Sequence, residues 1–121
     1  MAAILAGEKT ALTGLLQIYE HEGEPVPQPG QRFSVLDSAG QSVAVIELTE
    51  VSVVPISTVG DDYARAEGRG YADAAQWRTA HEDFFCSEGM ARFLGATPVI
   101  GDDTLVVTER FRLVRPVSDG I

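Results

Sequence analysis

The sequence predicts an α+β domain with a curved or closed sheet, and the order of its patterns carries that prediction. Runs rich in β-branched residues fill residues 31–54, helical spacings of apolar residues follow as far as Phe85, and a cleanly alternating run closes the chain from Thr104. With 121 residues, the chain fits one domain, 1–121, able to bury about two thirds of its unfolded surface without staples.

Residues 1–6 read as the end of a helix stopped by Gly7, and a chain that opens on a last helical turn leads us to expect a further segment upstream. The next stretch, "AGEKTALTG", sets Lys9 between Gly7 and Gly14, beside the hydroxyls of Thr10 and Thr13. The two glycines free the backbone to bend inward. If the segment is extended, Lys9, Ala11 and Thr13 share one face and Thr10 and Leu12 the other. A lone lysine is ordinarily a solvated loop residue, so other features must give this one a role.

Residues 14–29 read as a solvated connection. "EHEGE" places three carboxylates and a histidine in five residues, and prolines at 25, 27 and 29 forbid a continuing helix. The irregular spacing on a loop argues against a metal site. Residues 31–54 read as two strands joined by the turn "DSAGQ". Ala44, Ile46 and Leu48 share one phase, Val51 and Val53 the other, so a bulge or bend is expected near Thr49.

Ser57 to Ala66 reads as a short helix starting at a Ser/Thr cap, with Gly68 as its stop. From Ala72 to Phe85 the spacing predicts the clearest helix: Ala74, Trp77, His81, Phe84 and Phe85 form one stripe, with Asp73 at its start. "GDD" at 101–103 reads as a turn before the final strand. In that strand Leu105, Val107, Phe111 and Leu113 alternate with polar residues, and Glu109 falls in the apolar phase. A carboxylate facing a core costs several kcal/mol, roughly, unless it is paired or protonated. Glu109 is therefore expected either to be neutralised by a cation or donor, with Lys9 one candidate, or to serve a ligand.

Glu67 stands at a helix end before "GRG", where a carboxylate is ordinarily solvated but can also project into a cleft. His81, inside the apolar stripe, reads first as a hydrogen-bonded core residue, and Arg78 beside Trp77 as a stacking or pairing group.

Composition narrows the function. The net charge is −9, from 18 acidic and 9 basic residues, which opposes broad sequence-independent nucleic-acid binding but not a pocket for one nucleoside. The single cysteine, Cys86, excludes an internal disulfide and fits a reducing compartment. No run approaches a membrane span of about 20 apolar residues, and the first residues lack signal-peptide features, so a cytoplasmic location is expected.

The segments "GEKTALTG", "PGQRFSVLDSAGQSVAVIELTEVSVVP", "ARAEGRGYADAAQWRTAHEDFF" and "LVVTERFRLV" together resemble the ASCH domain, a branch of the PUA-like superfamily, from about residue 4 to residue 115. The resemblance implies a β-barrel with flanking helices and a cleft near the G-x-K-T segment. It also implies binding of RNA or modified nucleosides. Some relatives remove the acetyl group from N-acetylated cytidine, and others have been described as ribonucleases.

In the amidohydrolases the implied machinery is a lysine, a threonine and a glutamate. Lys9 and Glu67 match the first and last. The family's threonine lies three residues after the lysine, where this chain has Leu12; Thr13 and Thr10 stand nearby. Arg69 and Tyr71 occupy positions where many relatives carry acidic residues, so a different ligand choice is expected, as is the loss of a helical stretch that larger relatives have ahead of the lysine.

Amide hydrolysis needs a nucleophile, a base and an oxyanion stabiliser. A threonine hydroxyl needs a base within hydrogen-bond reach, and a partly desolvated lysine can act as one. The expected site is thus Lys9, Glu67 and Thr13 as catalytic residues, with Gly7, Thr10, Arg78 and Glu109 binding the ligand. No metal, cofactor or membrane is implied. The expected partner is a nucleoside or single-stranded RNA, the alternative to hydrolysis being a non-catalytic RNA-binding module or a ribonuclease.

Overall fold

The structure, a computed structural model, describes residues 9–116. The helix end expected over residues 1–6, and Gly7, lie outside the described residues. Four strands form one antiparallel sheet in the order β1-β4-β3-β2: β1 (Ala11–Leu15), β2 (Arg32–Leu36), β3 (Ser42–Pro55) and β4 (Leu105–Pro116). The sheet curls into a half-barrel, accompanied by helices α1 (Leu16–Glu22), α2 (Asp61–Ala66), α3 (Ala74–Phe85) and α4 (Glu88–Leu94).

The phase change near Thr49 is a bulge. Leu48 pairs with Phe111 and Glu50 with Arg110, so Thr49 is the extra residue in β3. Its effect is to keep one face continuous: Ile46, Leu48, Val51 and Val53 stand opposite Leu113, Phe111, Glu109 and Val107. The other face carries Val54 and Val106, and β1 adds Ala11, Thr13 and Leu15 to it. The helices cover this second face, where Ala11, Leu15, Ile56, Tyr63, Trp77, Phe85 and Val106 form the larger core cluster. Ile46, Leu48 and Phe111 form a smaller cluster on the first face, with Leu12, Val35 and Val51 packed on it.

Three sequence expectations need correction. Residues 14–29 are not all a connection, because the last β1 residue leads directly into α1. Leu15 is buried and Ile18 packs on the core, which supplies the anchor, and Gly23 closes the helix at φ 66° before the prolines begin. The helix expected from Ser57 starts instead at Asp61. Ile56–Thr58 is a single 3₁₀ turn closed by Thr58 Oγ1 donating to the Pro55 carbonyl, and Gly60 is extended at the cap. Phe84, expected on the buried stripe, is 61% exposed, whereas Trp77 and Phe85 are buried.

Helix α4 had no counterpart in the sequence reading, although Ser87 caps it through the Met90 amide and Gly95 ends it at φ 87°. No helix among the described residues is long and apolar enough to cross a membrane.

Candidate functional site

On the helix-facing side of β1 lies a cavity of about 300 Å³. Its centre is Glu67, the residue just past the end of α2, 3% exposed. The chain leaves this point through Gly68 at φ 69° and Gly70 at φ 83°, a backbone that a side-chain-bearing residue adopts only with strain. The sharp exit turns the glutamate inward while Arg69 and Tyr71 line the cavity mouth.

Glu67 Oε2 collects three donors. Thr13 Oγ1 donates to it at 2.7 Å, the Trp77 indole N–H donates to it from α3, and His81 Nε2 lies 3.2 Å away. The other ring nitrogen of His81 is 2.8 Å from the Trp77 carbonyl, so both of its nitrogens face oxygen acceptors. The Trp77 and His81 rings stack with centroids 4.3 Å apart, one helical turn from each other. Burial pushes the Glu67 carboxyl upward, but the bonds from His81, Trp77 and Thr13 outweigh it and hold the group below the ordinary glutamate value.

Lys9 reaches the same carboxylate from the chain start. Its Nζ donates to the carbonyls of Ala11 at 2.9 Å and Glu67 at 3.1 Å, and stands 3.8 Å from Glu67 Oε1. Burial lowers the Lys9 amine below its usual value; Glu67 opposes that shift and Arg69 adds to it. Two backbone acceptors thus fix the nitrogen beside the Glu67 carboxylate.

Thr13, not Leu12, presents its hydroxyl to the carboxylate. Leu12 points its face towards Glu109, its partner across the β1–β4 ladder, while Thr13 shares the Ala11 and Leu15 face. No hydrogen bond joins Lys9 Nζ to either threonine hydroxyl among the described residues. Lys9 and Thr13 meet through Glu67.

Tyr63 completes the arrangement. Its hydroxyl lies 3.0 Å from Thr13 Oγ1, donates to the Leu12 carbonyl, and accepts from the Glu109 amide at 3.1 Å. Burial pushes its pKa well above the ordinary phenol value, so it stays protonated.

The remaining expected site residues lie apart. Thr10 is tied to the α2 end, its amide 2.7 Å and its hydroxyl 3.5 Å from the Ala66 carbonyl. Arg78 bridges Glu82 and Asp102, both at 2.7 Å, on the outer side of α3. Glu109 sits on the opposite face of the sheet, 4% exposed, where Leu12 and Val51 are its strand neighbours. No described side chain bonds its carboxyl, contrary to the expected neutralisation, because Lys9 is committed to Glu67 on the other face. Burial pushes the Glu109 carboxyl up to about 7.

Sequence reasoning missed Tyr63 and gave Phe84 no place in the site, while Arg69 and Tyr71 entered only through the resemblance, as positions that differ from relatives. Among the described residues no group of three or more His, Cys, Asp or Glu gathers as metal ligands.

Comparison with known proteins accords with this architecture. A family model described as the ASCH domain matches residues 1–115, and the chain belongs to that family. A crystal structure of an ASCH domain from Lactobacillus crispatus JV V101 is similar at 35% identity with TM-score 0.79, covering 93% of this chain and 69% of that one. A crystal structure of a protein from Enterococcus faecalis V583 is similar at 32% identity with TM-score 0.79, covering 94% of this chain and 66% of that one. No curated protein matches the chain.

Proposed function

We propose that the Glu67 cavity binds a modified nucleoside and hydrolyses an amide on its base, with N-acetylated cytidine as the reference substrate. The observation that carries this reading is the meeting of a hydroxyl, a carboxylate and an amine on one cavity wall, with Thr13 Oγ1 2.7 Å from Glu67 Oε2 and Lys9 Nζ 3.8 Å from Oε1. The lysine, threonine and glutamate implied by the resemblance are present here with the hydroxyl one residue further along the strand.

In this reading Thr13 Oγ attacks the acetyl carbonyl carbon as its proton passes to Glu67 Oε2. The oxyanion is stabilised by the Lys9 ammonium. Collapse breaks the bond to the base nitrogen, which takes the proton from Glu67, leaving acetylated Thr13 and free cytidine. Water then releases acetate by the same steps in reverse order. His81 and Trp77 keep the carboxylate oriented, and Phe84 and Tyr71 offer flat surfaces at the mouth against which a base can lie.

The test is chromatography of acetylated cytidine incubated with purified protein. Conversion should fall at least about 100-fold in Thr13→Ala and in Glu67→Gln, the range set by removing a nucleophile or a general base, and survive partly in Thr13→Ser. No conversion by concentrated wild-type protein overturns the hydrolytic reading. Binding of the nucleoside without conversion would leave the non-catalytic module.

A further inference from the structure

The opposite face of the sheet holds a second and larger cavity, about 530 Å³, which the Thr13 chemistry does not use. Leu12, Phe33 and Leu48 supply apolar walls, the proline-containing loop after α1 closes one side, and Tyr19 and Glu24 stand at its edge. Glu109 lines it; the residue is 4% exposed, and among the described residues its carboxyl, which keeps a little open surface, has no side-chain partner. Among the described residues no Lys, Arg or His lines it.

An unpartnered carboxyl in an apolar cavity is unfavourable when ionised, since lost hydration is not replaced. A ligand that brings both an N–H donor and a positive charge replaces it. Anionic ligands meet Glu109 and Glu24 together and are repelled. We propose that this cavity is a second ligand site, selective for small molecules that carry a protonated nitrogen on an apolar body. Glu109 is its anchor. Phe33, 44% exposed, covers the apolar body of the ligand.

Binding is coupled to the ionisation of Glu109. The groups facing it are few. Tyr19 from α1 is pushed up to about 12 by burial and by the nearby glutamates, so it stays neutral. Tyr63, behind the strand pair, also stays protonated. β3 offers Val51 and Leu48, β2 offers Phe33, and the loop offers Glu24 at the rim.

The experiment is a titration of the full chain with benzylamine, benzyl alcohol and benzoate, followed by ¹H–¹⁵N NMR. Benzylamine remains protonated throughout the range used. Its affinity should rise about 30-fold between about pH 5.5 and pH 8, the ratio of ionised fractions for a group titrating at about 7. The shifted amides should cluster around Glu24–Phe33 and Glu109. At the higher pH, benzyl alcohol and benzoate should bind at least about tenfold more weakly, having lost the charge-assisted bond.

Glu109→Gln should abolish the pH dependence, and Thr13→Ala should leave it intact. Wild-type affinity that is flat with pH, or equal binding of benzoate, overturns the proposal without reference to any variant. Amide shifts clustered instead on Lys9, Thr13 and Glu67 would place the ligand in the other cavity and overturn the proposal. A failure of deacetylation leaves this site untouched.

Discussion

Glu67 and Glu109 are both buried carboxyls, and their surroundings move them in opposite directions. Three donors hold Glu67 ionised, whereas burial without a partner lifts Glu109 to about 7. The two signs give opposite pH dependences. The depressed Glu67 contributes stability above its unfolded value and loses it as pH falls through its folded value. The raised Glu109 costs nothing in acid and destabilises progressively as pH rises from its ordinary value of 4.5 to about 7.

Glu109→Gln should therefore match wild type near about pH 4 and exceed it by up to about 3 kcal/mol at pH 8, read from urea denaturation at the two pH values. Glu109→Ala, which leaves a space and no hydrogen-bonding group, should be the less stable variant at both. Equal stability of wild type and the Gln variant at the higher pH would mean that the carboxyl is solvated. Trp77→Phe removes one donor from Glu67 Oε2 and should cost about 1–2 kcal/mol. It should also raise the Glu67 titration, observable by ¹³C NMR of the carboxyl. A titration unchanged from wild type would show that the indole does not hold the carboxylate.

Helix α3 delivers two of Glu67's three donors, so its start matters to the site. Asp73 accepts from the Gln76 amide at 2.9 Å and sits extended at φ −154°, the geometry of an N-cap. Asp73→Ala should lower stability by about 1 kcal/mol in urea denaturation, and Asp73→Asn by less. A full loss in the Asn variant would assign the effect to charge at the helix start. This helix, its cap and the β3 bulge were legible because each follows from local spacing: period 3.6, a short acceptor before it, and a phase change in alternation. Helix α1 was not, since the prolines that follow it dominate the reading while its anchor, Leu15, is buried only by the tertiary fold. The pairing of Lys9 with Glu67 entered through the resemblance, which no periodicity could have supplied. Tyr63 could not be found at all, because its hydroxyl meets partners 46 to 51 residues away in sequence. Glu109 was visible as an anomaly of phase, but its solitude depends on which cation folds to which face.

Charge is arranged at the scale of the whole molecule. Every described basic side chain except Arg69 lies within 3.8 Å of a carboxylate. The positive charge needed to neutralise a run of phosphates is thus already committed, on a chain of net charge −9. Single-stranded RNA about 20 nucleotides long should bind no more tightly than about 100 μM at physiological salt, measured by filter retention. Retention at low micromolar concentration would replace the small-ligand reading with the RNA-binding module.

Arg69, at the mouth of the Glu67 cavity, is where that arrangement has kinetic consequences. A phosphorylated nucleoside approaching from solution crosses a repulsive field before it meets one attractive point. Added salt shrinks the screening length to about 10 Å at 0.1 M and so acts on the two stages in opposite ways. Arrival becomes faster because the repulsion fades, and residence becomes shorter because the guanidinium contact is weakened. Stopped-flow traces should show association and dissociation rates rising together with ionic strength, leaving the affinity far less sensitive to salt than either rate.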